Sequence, residues 1–153
     1  MATTPLLLVR HADAGDRDLW TGDQDVRPLT AEGRRQADAV RDALAQYAPA
    51  RILSSAAVRC VQTVEPLATA VGVSIEIADE LHEGRTTEAL ALLDGRPMAL
   101  SSHGDVLPEL LVALAGHLDA VAARGDGFGE GAAWVLDVGD DGVVTGGRYV
   151  SPR

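Results

Sequence analysis

Residues 6–15, "LLLVRHADAG", decide how the rest of the chain is read. Four apolar residues, Leu6 to Val9, are the run of a buried strand. That run ends, without a spacer, on Arg10 and His11, a permanent cation beside a titratable ring. A core strand that delivers such a pair to its edge calls for an anion, or a reaction, at that edge.

Working outward, residues 5–9 are the first strand and "ADAGDRDLWTGDQDVRP" is a polar loop. Thr30 then reads as a helix N-cap with Glu32 in the first turn. "AEGRRQADAVRDALAQY" sets Ala37, Val40, Ala43, Leu44 and Tyr47 on one helical face, and Pro49 ends it. "RILSS" is a second strand. "AAVRCVQTVEPLATAVG" is a second helix that stops at Gly72, with Val58, Val61, Val64 and Leu67 (and Ala68 and Val71) as its expected buried stripe. Pro66 inside that pattern predicts a kink or break. "VSIEIADE" alternates as a strand with Val73, Ile75 and Ile77 on one side, and a short helix is expected over 87–93. "PMALSS" is a strand reaching His103, and "DVLPELLVALAGHL" is a helix with Pro108 in its opening turn. The glycine-dense segment 125–131 reads as a loop, and "AAWVLDV" and "VVTGGRYV" as a hairpin about "GDDG". The alternation of strand and helix predicts an α/β fold: one domain over 1–153, a mostly parallel sheet flanked by helices, closed by C-terminal hairpin strands.

Composition narrows the function classes. The 153 residues are 46% hydrophobic, 24% charged and only 3% aromatic, so the core is built from Leu, Val, Ile and Ala. No apolar run approaches the ~20 residues of a membrane span, and the N-terminus lacks the basic start of a secretory signal. Cys60 is the single cysteine, which excludes an internal disulfide and suits a reducing, cytoplasmic setting. The net charge of −10 argues against nucleic acid and anionic membrane as partners. It also repels a phosphorylated molecule unless arginines cluster locally, and all 13 basic residues are arginine. Nothing in the sequence sets an oligomeric state.

In an open parallel sheet, ligands bind outside the carboxyl ends of the strands. The first strand delivers Arg10 and His11 there, the second Ser54 and Ser55 with Arg59 a turn later, and "PMALSS" delivers Ser102, His103 and Gly104. Each alone is an ordinary residue. Together they put two guanidinium forks, which match phosphate oxygens bidentately, beside two imidazoles. A helix N-terminus after "SSAA" adds backbone donors for the same anion. No P-loop, no GxGxxG and no metal-ligand spacing accompanies them.

In this order and spacing, "LLLVRHADAG", "ILSSAAVRCVQTVEPLA" and "LSSHGDVLPELL" resemble the signature blocks of the histidine phosphatase superfamily, the phosphoglycerate-mutase-like fold. "RPLTAEGRRQA" looks like the helix entry of its small SixA-like branch. The resemblance implies that His11 takes the phosphoryl group, that Arg10 and Arg59 bind its oxygens, and that His103 donates to an equatorial oxygen. It implies a metal-independent reaction with no cofactor. The usual Arg-His-Gly is here Arg-His-Ala, which adds the Ala12 Cβ near the phosphate. Glu83 falls where many relatives place the carboxylate that protonates the leaving group, and Asp105 is a second candidate for that role. His82 and His117 are assigned to structure or surface.

The connection between Arg59 and His103 is too short for the lid of a mutase, so the pocket is expected to be open. That suits a protein phosphohistidine as substrate, or another exposed phosphate ester. Similar domains are joined to Nudix hydrolases, which keeps a nucleotide or small-metabolite phosphatase as an alternative, beside a non-catalytic phosphate-binding module. Arg17, Trp20 and Arg27 are expected near the mouth, with Trp20 either stacking on a base or packing.

Overall fold

The computed structural model describes residues 2–85, 87–124 and 128–151. Six strands, β1 (Thr3–Arg10), β2 (Arg51–Ser54), β3 (Ile75–Ile77), β4 (Met98–Ser102), β5 (Ala133–Gly139) and β6 (Val144–Val150), form one sheet in the order β3-β2-β4-β1-β5-β6. β3, β2, β4 and β1 run parallel, whereas β5 and β6 are antiparallel additions. The sheet is flanked by helices α1 (Ala31–Leu44), α2 (Val58–Val71), α3 (Leu107–Ala115) and α4 (Asp119–Arg124). This is the mixed α/β sheet with a terminal hairpin that the strand and helix alternation predicts.

The unbroken run Leu6 to Val9 has a simple cause. Leu6 and Leu8 face the core that contains Leu107, Leu110 and Leu111 of α3, while Leu7 and Val9 face the core that contains Val40 and Leu44 of α1 and Val64 and Leu67 of α2. A strand covered on both sides buries every residue, each apolar side chain stabilising by about 2 kcal/mol.

β1 and β4 are neighbours, but the chain leaves β1 towards β2 on one side and leaves β4 towards β5 on the other. The crevice of the sheet therefore opens between their carboxyl ends, beyond the paired residues Arg10 and Ser102.

α1 is locked to the loop that follows His11. Thr30 Oγ1 accepts from Gly33 N at 3.0 Å, the Thr30 amide donates to Asp13 O, and Gln36 Oε1 accepts from Asp13 N at 2.8 Å. A Cβ on Gly33 would lie 2.0 Å from Asp13 O, so only glycine permits this approach. The helix ends before Pro49, in a 3-10 turn over Ala45–Tyr47.

Several expectations are corrected. α2 runs unbroken through Pro66, and its buried face is Arg59, Cys60, Thr63, Val64, Leu67 and Ala68, with Val58 and Val61 half-buried. The stripe is rotated because its inward polar groups find partners at the crevice. β3 is a three-residue edge strand, so Ile77 is 54% exposed. Residues 87–93 form a 3-10 helix over Glu88–Leu92, and α4 has no counterpart among the expected elements. Of the expected 125–131 loop, residues 125–127 lie outside the described residues. Among the described residues no helix is long and apolar enough to cross a membrane.

Candidate active site

The ends of β1, β2 and β4 converge on a polar cleft of about 540 Å³, lined by Arg10, His11, Arg17, Arg27, Glu83, His103, Gly104, Asp105 and neighbouring residues. His11 continues β1: its amide donates to Ser102 O and its carbonyl accepts from Gly131 N, both at 3.0 Å. Only 6% of it is exposed. Its Nδ1 lies 2.9 Å from Ala12 O, a carbonyl that only accepts, so Nδ1 carries the proton and Nε2 keeps the lone pair. Burial, reinforced by the charge of Arg59, lowers its pKa to about 4. Near neutrality the ring is a free base.

His103 stands opposite, its ring centroid 5.7 Å from that of His11 and nearly perpendicular to it. Burial, with Arg59, lowers this pKa to about 4 as well. Ser55 Oγ accepts from Ala57 N and meets His103 Nε2 at 2.8 Å. The Cys60 thiol packs 3.6 Å from Nε2, and burial pushes its pKa up to about 12, so it stays protonated.

The two arginines are held differently. The half-buried Arg10 donates from Nη1 to Phe128 O at 2.6 Å, and its guanidinium lies where a Cβ on Gly104 would stand 2.7 Å from Cζ. Arg59 is 1% exposed and does not line the cleft. It donates from Nη1 to Gln24 O at 2.7 Å, from Nη2 to Glu83 Oε1, and its Nη2 touches His103 Nδ1 at 3.3 Å. The Nε atoms of both arginines are buried and make no hydrogen bond among the described residues. Thr63 Oγ1 accepts from Ala12 N and donates to Arg59 O, tying α2 to the loop after His11.

The remaining expected residues sort as follows. Arg17 lines the cleft and is 57% exposed, 3.8 Å from Glu83 Oε2. Arg27 also lines it but is a strut: it is buried, and its Nη1 donates to Ala14 O and Gly15 O. Trp20 is not on the cleft; its indole N–H donates to Asp23 O at 3.0 Å. Asp105 lines the cleft and accepts from Gly84 N at 2.8 Å. The Ala12 methyl is buried with Ala14, Leu29 and Ala37 and does not line the cleft. His117 is structural, meeting Val144 O at 2.8 Å. His82 is more than surface: it bridges Asp25 Oδ2 at 3.1 Å and Glu83 O at 3.1 Å, and the Asp25 hydrogen bond raises its pKa.

Sequence reasoning placed Ser55 at the crevice without its contact to His103, and missed Thr63 and Gln24 as site-building residues. Thr63, one helical turn after Arg59, carried a usable signal; the Gln24 contribution is a backbone carbonyl and carried none. Among the described residues no group of three or more His, Cys, Asp or Glu is placed to hold a metal.

Comparisons with known proteins agree with this geometry. The sequence model described as histidine phosphatase superfamily (branch 1) matches residues 6–89. An 8-oxo-(d)GTP phosphatase of Mycolicibacterium smegmatis is 32% identical over 98% of this chain, which spans about half (49%) of that relative. A solved structure of a provisionally assigned phosphohistidine phosphatase, SixA, from Agrobacterium tumefaciens is 30% identical, covering 88% of this chain and 91% of that one, with a TM-score of 0.76. The fold is also that of a protein histidine phosphatase SixA complexed with tungstate, at 22% identity, 97% coverage of each chain and a TM-score of 0.79. With its paired histidines and arginines gathered where β1, β2 and β4 end, the chain belongs to the histidine phosphatase superfamily, in its SixA-like form.

Proposed function

We propose that the protein hydrolyses its substrate without a metal, through a phosphohistidine formed on His11. The observation that carries this is the state of the His11 ring: neutral, fixed through Nδ1, and presenting Nε2 in a polar cleft beside two guanidinium groups. Nε2 attacks phosphorus, and the N–P bond forms as the bond to the leaving atom breaks and that atom takes the electron pair. Water then attacks phosphorus and the N–P bond returns its pair to His11. One water is consumed; one of its hydrogens ends on the leaving group and the rest leaves as phosphate. The transition state is loose, so positioning and charge neutralisation are what the protein supplies. Arg10 and Arg59 serve the phosphoryl oxygens, and the ring of His103 serves an equatorial one. Glu83 and Asp105 are the carboxylates near enough to assist the leaving group.

Protein phosphohistidine is the substrate this reading favours. Its leaving group is an imidazole that needs little help from an acid, and the cleft is open to solvent. The likeness to the Agrobacterium SixA supports it. A nucleotide phosphate is the second reading, favoured by the Mycolicibacterium relative and by the exposed guanidinium of Arg17 on the cleft.

Two measurements test this. His11→Ala lowers turnover of p-nitrophenyl phosphate by about a thousandfold or more, while EDTA leaves the wild type unchanged. Quenching with ³²P-labelled substrate traps acid-labile label on the wild type alone. Turnover surviving in His11→Ala, or acid-stable label, removes the proposed mechanism. A panel of phosphohistidine peptide, 8-oxo-dGTP and sugar phosphates ranks the two substrate readings by kcat/KM.

A further inference from the structure

Glu83 stands on the groups assigned to the phosphate. Its Oε1 accepts from Arg59 Nη2 and lies 3.3 Å from His103 Nδ1. A carboxylate thus sits where a phosphoryl oxygen would bridge the guanidinium and the imidazole. Arg59 is 1% exposed, and a buried guanidinium needs a counter-anion. Glu83, with 31% of its side chain exposed, supplies the charge from the cleft side of Arg59.

The same carboxylate has somewhere to go. Its other oxygen is 3.8 Å from Arg17 Nη2, a side chain that is 57% exposed and held to no other carboxylate among the described residues. Glu83 is carried on a turn whose backbone is fixed independently of its side chain: the Glu83 carbonyl meets His82 Nδ1, and Gly84 N donates to Asp105. The one carboxylate thus already stands between the buried Arg59 and the exposed Arg17.

We propose that Glu83 is a built-in competitor for the phosphate site: it neutralises Arg59 in the free protein and yields Arg59 and His103 to the phosphoryl group by shifting to Arg17. This rests on the assignment of Arg59 and His103 as phosphate ligands. It makes Glu83 the residue that sets affinity for the phosphoryl group and release of the phosphate product. When phosphate leaves, the returning carboxylate restores the counter-charge that the buried guanidinium requires, so an empty site need not hold its product. An anion lost from one side is replaced from the other, and the exchange is reciprocal: whatever Glu83 gains on Arg59, phosphate loses.

The test is phosphate binding by calorimetry to the full chain in the His11→Ala background, where turnover plays no part. Glu83→Gln keeps the shape and removes the charge; it binds inorganic phosphate about tenfold tighter than the parent. Because this variant leaves Arg59 without a counter-charge, its melting temperature is lower, and saturating phosphate raises it by more than it raises that of the parent. Unchanged or weaker phosphate affinity in Glu83→Gln, or an equal thermal response, overturns the competitor role and leaves the phosphatase mechanism standing. Phosphate binding that Arg59→Ala leaves untouched overturns the phosphate-site assignment itself, and the competitor role with it.

Discussion

Arg51, at the start of β2, and Arg59, in the helix that follows its other end, meet carboxylates in opposite ways. Arg51, which opens β2, holds Glu76 through Nε and Nη2 at 3.0 and 2.7 Å and Asp94 through Nη1 at 2.8 Å, and Arg96 joins the same Asp94. That network is on the surface and saturated, and ion pairs of this kind contribute little. Arg59, beyond the other end of β2, is buried and, among the described residues, has one carboxylate, which itself borders the cleft. Identical side chains make a structural clasp at one end of the sheet and, in the proposed mechanism, an anion site at the other. Burial decides the difference, because a guanidinium that water cannot neutralise binds whatever anion reaches it.

The sharpest way to break that comparison is to truncate both arginines. Arg59→Ala is expected to lower kcat/KM by about a hundredfold or more, the scale on which a preorganised charge-stabilising group acts. Arg51→Ala leaves kcat/KM unchanged. Equal losses at the two positions, in steady-state assays on one substrate, would end the distinction.

A smaller effect is expected from a methyl group. In Gly104→Ala the new Cβ meets the Arg10 guanidinium at 2.7 Å, so Arg10 must move off the cleft or the β4 turn must shift. Displacement of a positioned group by this amount lowers kcat/KM by about tenfold to a hundredfold. An unaltered kcat/KM would show that Arg10 is not held where the phosphate needs it.

The gentlest probe is pH. His11 and His103 have folded-state pKa values lowered to about 4 from 6.5, so between those limits the unfolded chain binds more protons. Stability from these rings is fully present above pH 6.5 and is lost as pH falls towards 4. His82 works in the other direction: its raised pKa adds stability below 6.5 that is lost as pH rises through the folded value. The two buried rings outweigh the exposed one, and the melting temperature at pH 5 falls ~5 °C below that at pH 7. His103→Asn reduces that slope; a flat profile would mean that the rings are not kept neutral by burial. The acid pair at the far end of the sheet responds in a separate window, since Arg96 and Arg51 hold the Asp94 carboxyl well below its usual range.

How far each element could be read from the sequence follows from where its partners lie. α1 was legible because its cap, Thr30 with Gly33, and its face, Ala37, Val40 and Leu44, are local. α2 was legible as a helix but not in its rotation. Its pattern counts Arg59 and Thr63 as outward residues, yet both are buried, satisfied by Glu83, Gln24 and Ala12, residues distant in sequence. Trp20 read as a mouth residue for the same reason: its closeness to the cleft in sequence says nothing of an indole that turns to Asp23.

Local physics alone determined the strand ends and what they carry: a run of apolar residues that buries itself must stop where Arg10, His11, Ser55 and His103 begin, and those residue types suit an anion. Only the folded chain decided their states. Which nitrogen of His11 is free, which anion sits on Arg59, and whether Arg27 faces ligand or loop all depend on carbonyls and carboxylates brought from far along the chain. Burial sets the strength of each such contact, and burial is a property of the whole packing, absent from any single stretch of sequence.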